Sequence, residues 1–386
     1  MRAALINLPQ PGEGTQPAIA GKSIAQRQLL FARECGCTMI IAHGGGASPE
    51  AHALRHATEK AGMRFAVISN SHALPGAVGD DDSLLVLQPG LLPEAQQALD
   101  LLRAEGDRLL VVSAGPGTAA GFERIDLDRA WAGALTIPGR LLSGLNSLLE
   151  DAAPHAALLR VALQKKLPEA RLADSLLDDG GWMVVGDSET ASLREKSWLH
   201  ANLGRYSPMA PSRWLAREGV ARAGAWLLDK SWMQPALLVL AALLAGGSIT
   251  LAWYGYPVLA FALVAICAPV IETFLALSRL AVAPFGNIDR LTLLRHAVDI
   301  ALLVVGTLSI DGLWYRSVFP PFVLIVALIM LDRGKVDGIF EPLRDRALVV
   351  GVIAALAFLA GPEIAIMLLA AVVITARLAS TAKHSG

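Results

Sequence analysis

The sequence predicts an α/β domain built on an open, mostly parallel sheet, followed by an all-α polytopic membrane domain of about six transmembrane helices. Three observations carry this. Short apolar runs alternate with helical patterns early in the chain, and beyond about residue 230 long apolar runs replace them. The chain is 54% hydrophobic and only 17% charged, with a mean hydropathy of +0.49, which is too apolar for an ordinary soluble protein of 386 residues.

The first half alternates regularly. Strand-like runs lie at 3–6 (AALI), 38–43 (TMIIAH), 64–69 (RFAVIS), 83–88 (SLLVLQ) and 107–114 (DRLLVVSA). Helical patterns lie between them at 23–36, 49–62 and 92–106. In such sheets ligands bind beyond the carboxyl ends of the strands, and the loop "PGEGTQPAIAGKS" (11–23) occupies that place after the first strand. It is not a Walker A loop. The pattern ending at Gly21-Lys22-Ser23 requires Gly at 16, where Gln16 stands, and Pro17 removes a backbone N–H from the cradle. His43-Gly44-Gly45-Gly46 and Ser113 invite a serine-hydrolase reading, but the nucleophile elbow needs Gly where Val111 stands.

Cys35, Cys37 and Cys267 supply neither a disulfide framework nor a four-thiolate zinc site, and Cys35 and Cys37 read as small buried residues. A net charge of −1, with no basic stripe carrying interleaved aromatics, argues against a nucleic-acid partner. Pro9 and Pro11 interrupt the first apolar residues, so no signal peptide is expected and the first half is expected in the cytoplasm.

The second half offers spans at 234–254, 256–277, 296–314, 318–331, 347–361 and 363–379, of which the fourth and fifth are the shortest fits. Basic residues gather on one side of these spans, and only Arg316 lies on the other. That bias places both termini in the cytoplasm and the protein in the inner membrane. Residues 212–232 alternate basic and apolar positions with Trp214, Trp226 and Trp232, reading as an interfacial amphipathic helix or an ordinary linker helix. The expected domains are thus 1–200, a linker over 201–232, and a membrane domain over 233–380. Ionisable residues inside spans are functional candidates, which singles out Glu272, Arg279 and Asp299, with Glu272–Arg279 or Asp299–Arg295 as pairs. Asp289 lies nearby. Asp332, Asp337 and Asp345 read as parts of a charged loop.

Two stretches carry a family resemblance. "AGKSIAQRQLLFARECGCTMIIAHGG", after a loop bearing Gly12 and Gly14, is similar to the opening of sugar- or inositol-phosphate cytidylyltransferases. "GFERIDLDRAWAGALTIPGRLL" (121–142) resembles a late sheet segment of that nucleotidyltransferase domain. With the spans that follow, the order of features resembles a cytidylyltransferase fused to a six-helix CDP-alcohol phosphotransferase. The resemblance implies a nucleotide held by Gly12, Gly14 and Lys22. It implies membrane-domain catalysis around Glu272, Arg279, Asp289 and Asp299, with Mg2+ or Mn2+ if the protein is active. It also implies CTP, a phosphorylated alcohol and a membrane lipid as partners, and a homodimer formed through the membrane domain.

The motifs depart from that family. Residues 9–20 contain no basic residue, and Gln88-Pro89-Gly90 stands where the family carries a metal-binding Asp. In "IETFLALSRLAVAPFGNIDRLTLLRHAVDI" (271–300) the four aspartate positions of the phosphotransferase signature hold Ile271, Phe274, Arg290 and Leu294. The expected function is therefore polar-lipid head-group biosynthesis, either as a bifunctional transferase or as a catalytically degenerate relative that scaffolds or regulates an active partner. No metal-ligand set can be named from the sequence.

Overall fold

A computed structural model describes residues 1–9, 16–147, 152–204, 208–230, 232–334 and 338–384. The chain divides into two compact units, Met1–Ser197 and Trp198–Gly386.

The first unit is an α/β unit around a seven-stranded sheet. Its strands are β1 (Arg2–Asn7), β2 (Met39–His43), β3 (Arg64–Ile68), β4 (Ser83–Leu87), β5 (Arg108–Ser113), β6 (Arg129–Pro138) and β7 (Glu169–Arg171), in the order β7-β5-β6-β4-β1-β2-β3. Pairing is parallel throughout except along β6, which runs antiparallel to both β4 and β5. A parallel strand covered on both faces should read as continuous apolar sequence. β1 does so, with Ala3, Ala4, Leu5 and Ile6 fully buried. The β5–β6 register shifts between Leu109 and Val111, and Gly133 opposite takes a φ of +78°. That is the left-handed backbone a bulge uses glycine to reach.

Helices of eight or more residues are labelled here. In this unit they are α1 (Ile24–Glu34), α2 (Pro49–Lys60), α3 (Gln96–Arg103), α4 (Pro154–Gln164) and α5 (Ser188–Asn202), the last running through the division between the units. Local sequence starts the first two. Ser23 and Gln26 form a reciprocal capping box on α1, and Ser48 caps α2 with Pro49 at its first position. The apolar core holds Leu5, Ile41, Val86, Trp131, Leu135 and Leu158. Cys35 and Cys37 are buried and unbridged, and burial pushes both thiols up to about 12, so they are inert at neutral pH.

The second unit is helical. It comprises α6 (Pro211–Asp229), α7 (Met233–Trp253), α8 (Pro257–Val282), a short turn (Asp289–Thr292), α9 (Arg295–Leu308), α10 (Trp314–Asp332), α11 (Arg346–Ala360) and α12 (Pro362–His384). Among the described residues five helical stretches are long and apolar enough to cross a membrane: Met233–Trp253, Pro257–Val282, Asp289–Leu308, Trp314–Asp332 and Pro362–Thr381. The expected fifth span, 347–361, forms α11, an apolar helix of 15 residues. At 1.5 Å per residue it is about 22 Å long, against about 30 Å of hydrocarbon. The expected fourth span gains Trp314–Ser317 at its start and reaches sufficient length. Small residues let these helices approach closely: a Cβ added at Gly306 on α9 would stand 2.9 Å from Pro321 Cγ on α10.

Candidate functional site

Among the described residues each unit holds a hollow of several hundred Å3, and the two differ in charge. In the α/β unit a cleft of about 630 Å3 opens at the carboxyl ends of β1, β2 and β4. β1 lies between β2 and β4 in the sheet, the point where strand order reverses and such sheets bind ligands. Asn7, Gln16, His43 and His155 supply its polar side chains, and none of the described lining residues carries a carboxylate, ammonium or guanidinium. Burial lowers the His155 imidazole to about 4, so it is neutral at physiological pH.

The departure from a Walker loop has a structural counterpart. Gln16 Nε2 donates to the Asn7 carbonyl at 3.0 Å, and Gln16 Oε1 accepts from Ala25 N–H at 3.1 Å. The side chain thus ties the end of β1 to the start of α1. Gln16→Ala should cost about 1–2 kcal/mol by orphaning both backbone groups. Thermal unfolding of the full chain checks this, at about 2–4 °C for each kcal/mol.

Gly12 and Gly14 lie outside the described residues. Lys22 sits in a tight hairpin formed by Ala18–Ile19 and Lys22–Ser23 and is not among the described lining of the cleft. Burial, with Arg27, Arg33 and Lys60 adding repulsion, lowers its ammonium from 10.5 to about 8. The folded state therefore releases this proton before the unfolded state does. From this group, stability should rise as pH climbs from about 8 to 10.5, with the penalty complete below that window. Thermal midpoints measured across it should show the rise in the wild type and a reduced one in Lys22→Met. Ser113 donates to Asp174 Oδ2 at 2.6 Å, so its hydroxyl is engaged by a carboxylate.

The helical unit holds the charged hollow, a cavity of about 410 Å3 where the ends of several helices meet. Glu272 enters it from α8 and Asp299 from α9, so the structure brings these two sequence candidates together. Arg279 lines a small adjoining hollow that shares Glu272, Arg213 and Arg295. Asp289 is elsewhere, in the exposed turn before α9, where its Oδ2 accepts from Asn287 Nδ2 at 2.6 Å.

The ion pairs differ from those the sequence suggests. Arg295 is the two-pronged partner of Glu272, with Nε–Oε1 at 2.7 Å and Nη2–Oε2 at 2.8 Å, and Arg213 adds a contact at 3.6 Å. Asp299 takes its arginine from Arg346, at 2.7 Å, and His296 Nδ1 lies 3.2 Å from its other oxygen. Helix ends from distant sequence supply these partners, so local spacing could not choose them. Arg346 reaches a second carboxylate, Asp332, also at 2.7 Å. Arg344 crosses the end of α10, donating to the carbonyls of Asp332 at 2.7 Å and Gly334 at 2.9 Å.

Two residues read from sequence as a charged loop prove to be structural. Asp345 is 1% exposed. Its Oδ2 accepts from Ser212 N–H at 2.7 Å and Ser212 Oγ–H at 2.8 Å, while Oδ1 caps α11 through Leu348 N–H at 3.2 Å. This holds the start of α6 against the start of α11, which places Arg213 and Arg346 on one cavity. Asp332 is the second. Asp337, read with them, lies outside the described residues. A signal for this carboxylate cluster does exist in the sequence. Arg346 opens an apolar helix, where the helix dipole disfavours a cation, so a cation there calls for acidic company.

Five arginines and three carboxylates face the cavity, an excess of two positive charges. A Mg2+ or Mn2+ ion needs carboxylate oxygens converging on one point. Here Glu272, Asp299 and Asp332 are each engaged by an arginine at 2.7 Å. Among the described residues no group of three or more His, Cys, Asp and Glu forms a metal site. The donor set as arranged fits an anion and does not fit a divalent cation.

Fold and sites together define a two-unit protein, an α/β unit with an uncharged cleft and an apolar helical unit with an arginine-lined cavity. Solved structures similar to the chain include a UDP-glucose pyrophosphorylase complexed with UDP-glucose, at 11% identity over 51% of this chain and 99% of that one, with a TM-score of 0.36. A UDP-glucose pyrophosphorylase from Acinetobacter baumanii is similar at 13% identity over 53% of this chain and 94% of that one, also with a TM-score of 0.36. Likeness at that level says nothing of substrate or activity. No protein-family model matches the chain, and no curated protein does.

Proposed function

We propose that the protein is a membrane protein of polar-lipid head-group biosynthesis, a relative of cytidylyltransferase/CDP-alcohol phosphotransferase fusions that no longer transfers and instead scaffolds or regulates an active enzyme. The observation that carries this is the pairing in the cavity: Glu272, Asp299 and Asp332 are all bound to arginine. Metal-assisted phosphoryl transfer needs carboxylates free to hold the ions that offset charge on the moving phosphate. The cleft of the α/β unit supports the same reading. Among its described lining residues, imidazoles and amides stand with no ammonium or guanidinium to offset the charge of a triphosphate.

The test uses the full chain purified in detergent. One arm supplies CTP and a panel of alcohol phosphates, the other a CDP-alcohol and a lipid alcohol, each with Mg2+ or Mn2+. No pyrophosphate should appear in the first and no CMP in the second. Release of either above the protein-free background sinks the non-transferring reading. Added to membranes that contain an active head-group transferase, the protein should change that enzyme's rate.

A further inference from the structure

We infer that α10, α11 and α12 together present a lipid-contact face shorter than an ordinary bilayer, whose partner is phospholipid with short acyl chains. Charged residues set the height of this face. No charge lies between Arg316 and Asp332 on α10, after Arg346 on α11, or between Glu363 and Arg377 on α12. At 1.5 Å per residue the three uncharged stretches are about 24, 22 and 21 Å long. They fall about 6–9 Å short of a typical hydrocarbon core. α10 and α12 are long enough as helices, but their charges cut the apolar height.

The three stretches belong together. α12 packs against both α10 and α11, and Phe322, Met330, Val352, Phe358, Met367 and Val372 stand exposed along them. The bounding charges are tied at two levels. Arg316 Nε donates to Glu363 Oε1 at 2.9 Å where α10 and α12 begin, and the exposed Trp314 beside it marks an interfacial level. At the other end Arg346 reaches Asp332 at 2.7 Å, and the Arg377 guanidinium occupies the space a Cβ on Gly334 would take. Side chains held in this way cannot stretch toward the head groups to make up the shortfall. Tilting the helices would only lower the span further. By contrast α7, packed on α8 and α9, carries no charge over Met233–Trp253, about 31 Å. The bundle thus pairs a full-height helix with a short face, and a bilayer meeting that face must thin beside it. Shorter chains remove the cost of thinning.

This rests on the membrane location in the proposed function and not on its chemistry. The full chain carrying Trp253→Phe, which removes a second exposed tryptophan, is reconstituted in dimyristoleoyl-, dioleoyl- or dierucoylphosphatidylcholine. Each vesicle also holds a dibrominated dioleoyl lipid, and quenching of tryptophan fluorescence reads which chains sit beside Trp314. Dimyristoleoyl lipid should displace the brominated lipid about threefold better than dioleoyl lipid does, and dierucoyl lipid worse. Equal displacement by all three, the result a second copy seated on this face would give, overturns the inference. Preference for the longest chain overturns it too. Failure to float with any of the vesicles sinks the membrane reading along with it. Product release in the transfer assay would sink the non-transferring reading and leave this one standing.

A further variant tests whether the charged levels set the height. Arg316→Leu combined with Glu363→Leu removes an exposed ion pair, where loss of fold is not expected. The uncharged face lengthens, and the preference for dimyristoleoyl over dioleoyl lipid should fall close to one. An unchanged preference in this variant also overturns the inference.

Discussion

Asp345→Ala should destabilise the helical unit by about 3 kcal/mol, adding a lost helix cap to lost hydrogen bonds with a buried carboxylate. One oxygen of Asp345 caps α11 through Leu348, and the other accepts both donors of Ser212 at the start of α6. Substitution leaves the N–H groups of Ser212 and Leu348 without these acceptors in a nearly dry setting, Ser212 being 4% exposed. Thermal unfolding in detergent gives the size of the loss. Hydrogen exchange gives its location, and protection should fall first at the N-terminal turns of α6 and α11. Ser212→Ala alone should cost less, because it keeps the backbone donor. Combined with Asp345→Ala it should add almost nothing. Full additivity of the two variants would show that this clasp is not a unit.

Asp299→Ala should be of similar size, about 3 kcal/mol, for a different reason. Asp299 is 4% exposed and engages Arg346, which is itself 11% exposed. Removing one partner of a buried ion pair leaves the other charge in a medium that solvates it poorly. Asp332 remains on Arg346, which keeps the loss below that of an isolated charge. Asp299→Asn should cost less, since the amide oxygen still accepts from Nε. The paired change Asp299→Leu with Arg346→Met should recover most of the stability, because it removes desolvation on both sides. If the double variant is as unstable as the sum of the singles, the pair does not couple and the electrostatic account fails. The thermal midpoint of each variant in one detergent is sufficient.

Legibility in the sequence followed the range of the interaction. The first five strands were readable because burial on both faces of a parallel sheet imposes continuous apolar runs, as in Ala3–Ile6. β7 has only three residues, Glu169–Arg171, and alternates exposed positions, so no run marks it. The long apolar helices were readable from hydropathy. α11 shares the composition of its neighbours and differs from them in length. In the cavity, Glu272 and Asp299 stand out as acids in apolar helices, so their places were legible although their roles were not. Their partners were hidden, since Arg295 meets Glu272 across 23 residues and Arg346 meets Asp299 across 47. Asp345 was within reach of sequence reasoning, for an aspartate directly before an apolar helix is an N-cap signal. Its second role, toward Ser212, was not.

The clasp between Ser212 and Asp345 also sets an order of events during synthesis. Its two residues are 133 positions apart. At common rates of chain elongation the second follows the first by on the order of ten seconds. During that interval α7, α8, α9 and α10 are made in turn, while the start of α6 has no carboxylate to receive it. Arg213 meets Glu272 of α8 at 3.6 Å without waiting for α11, so the clasp is the later of these ties on the start of α6. A nascent chain stalled before residue 345 would therefore lack the acceptor that the start of α6 binds, and Asp345 supplies it just as α11 begins.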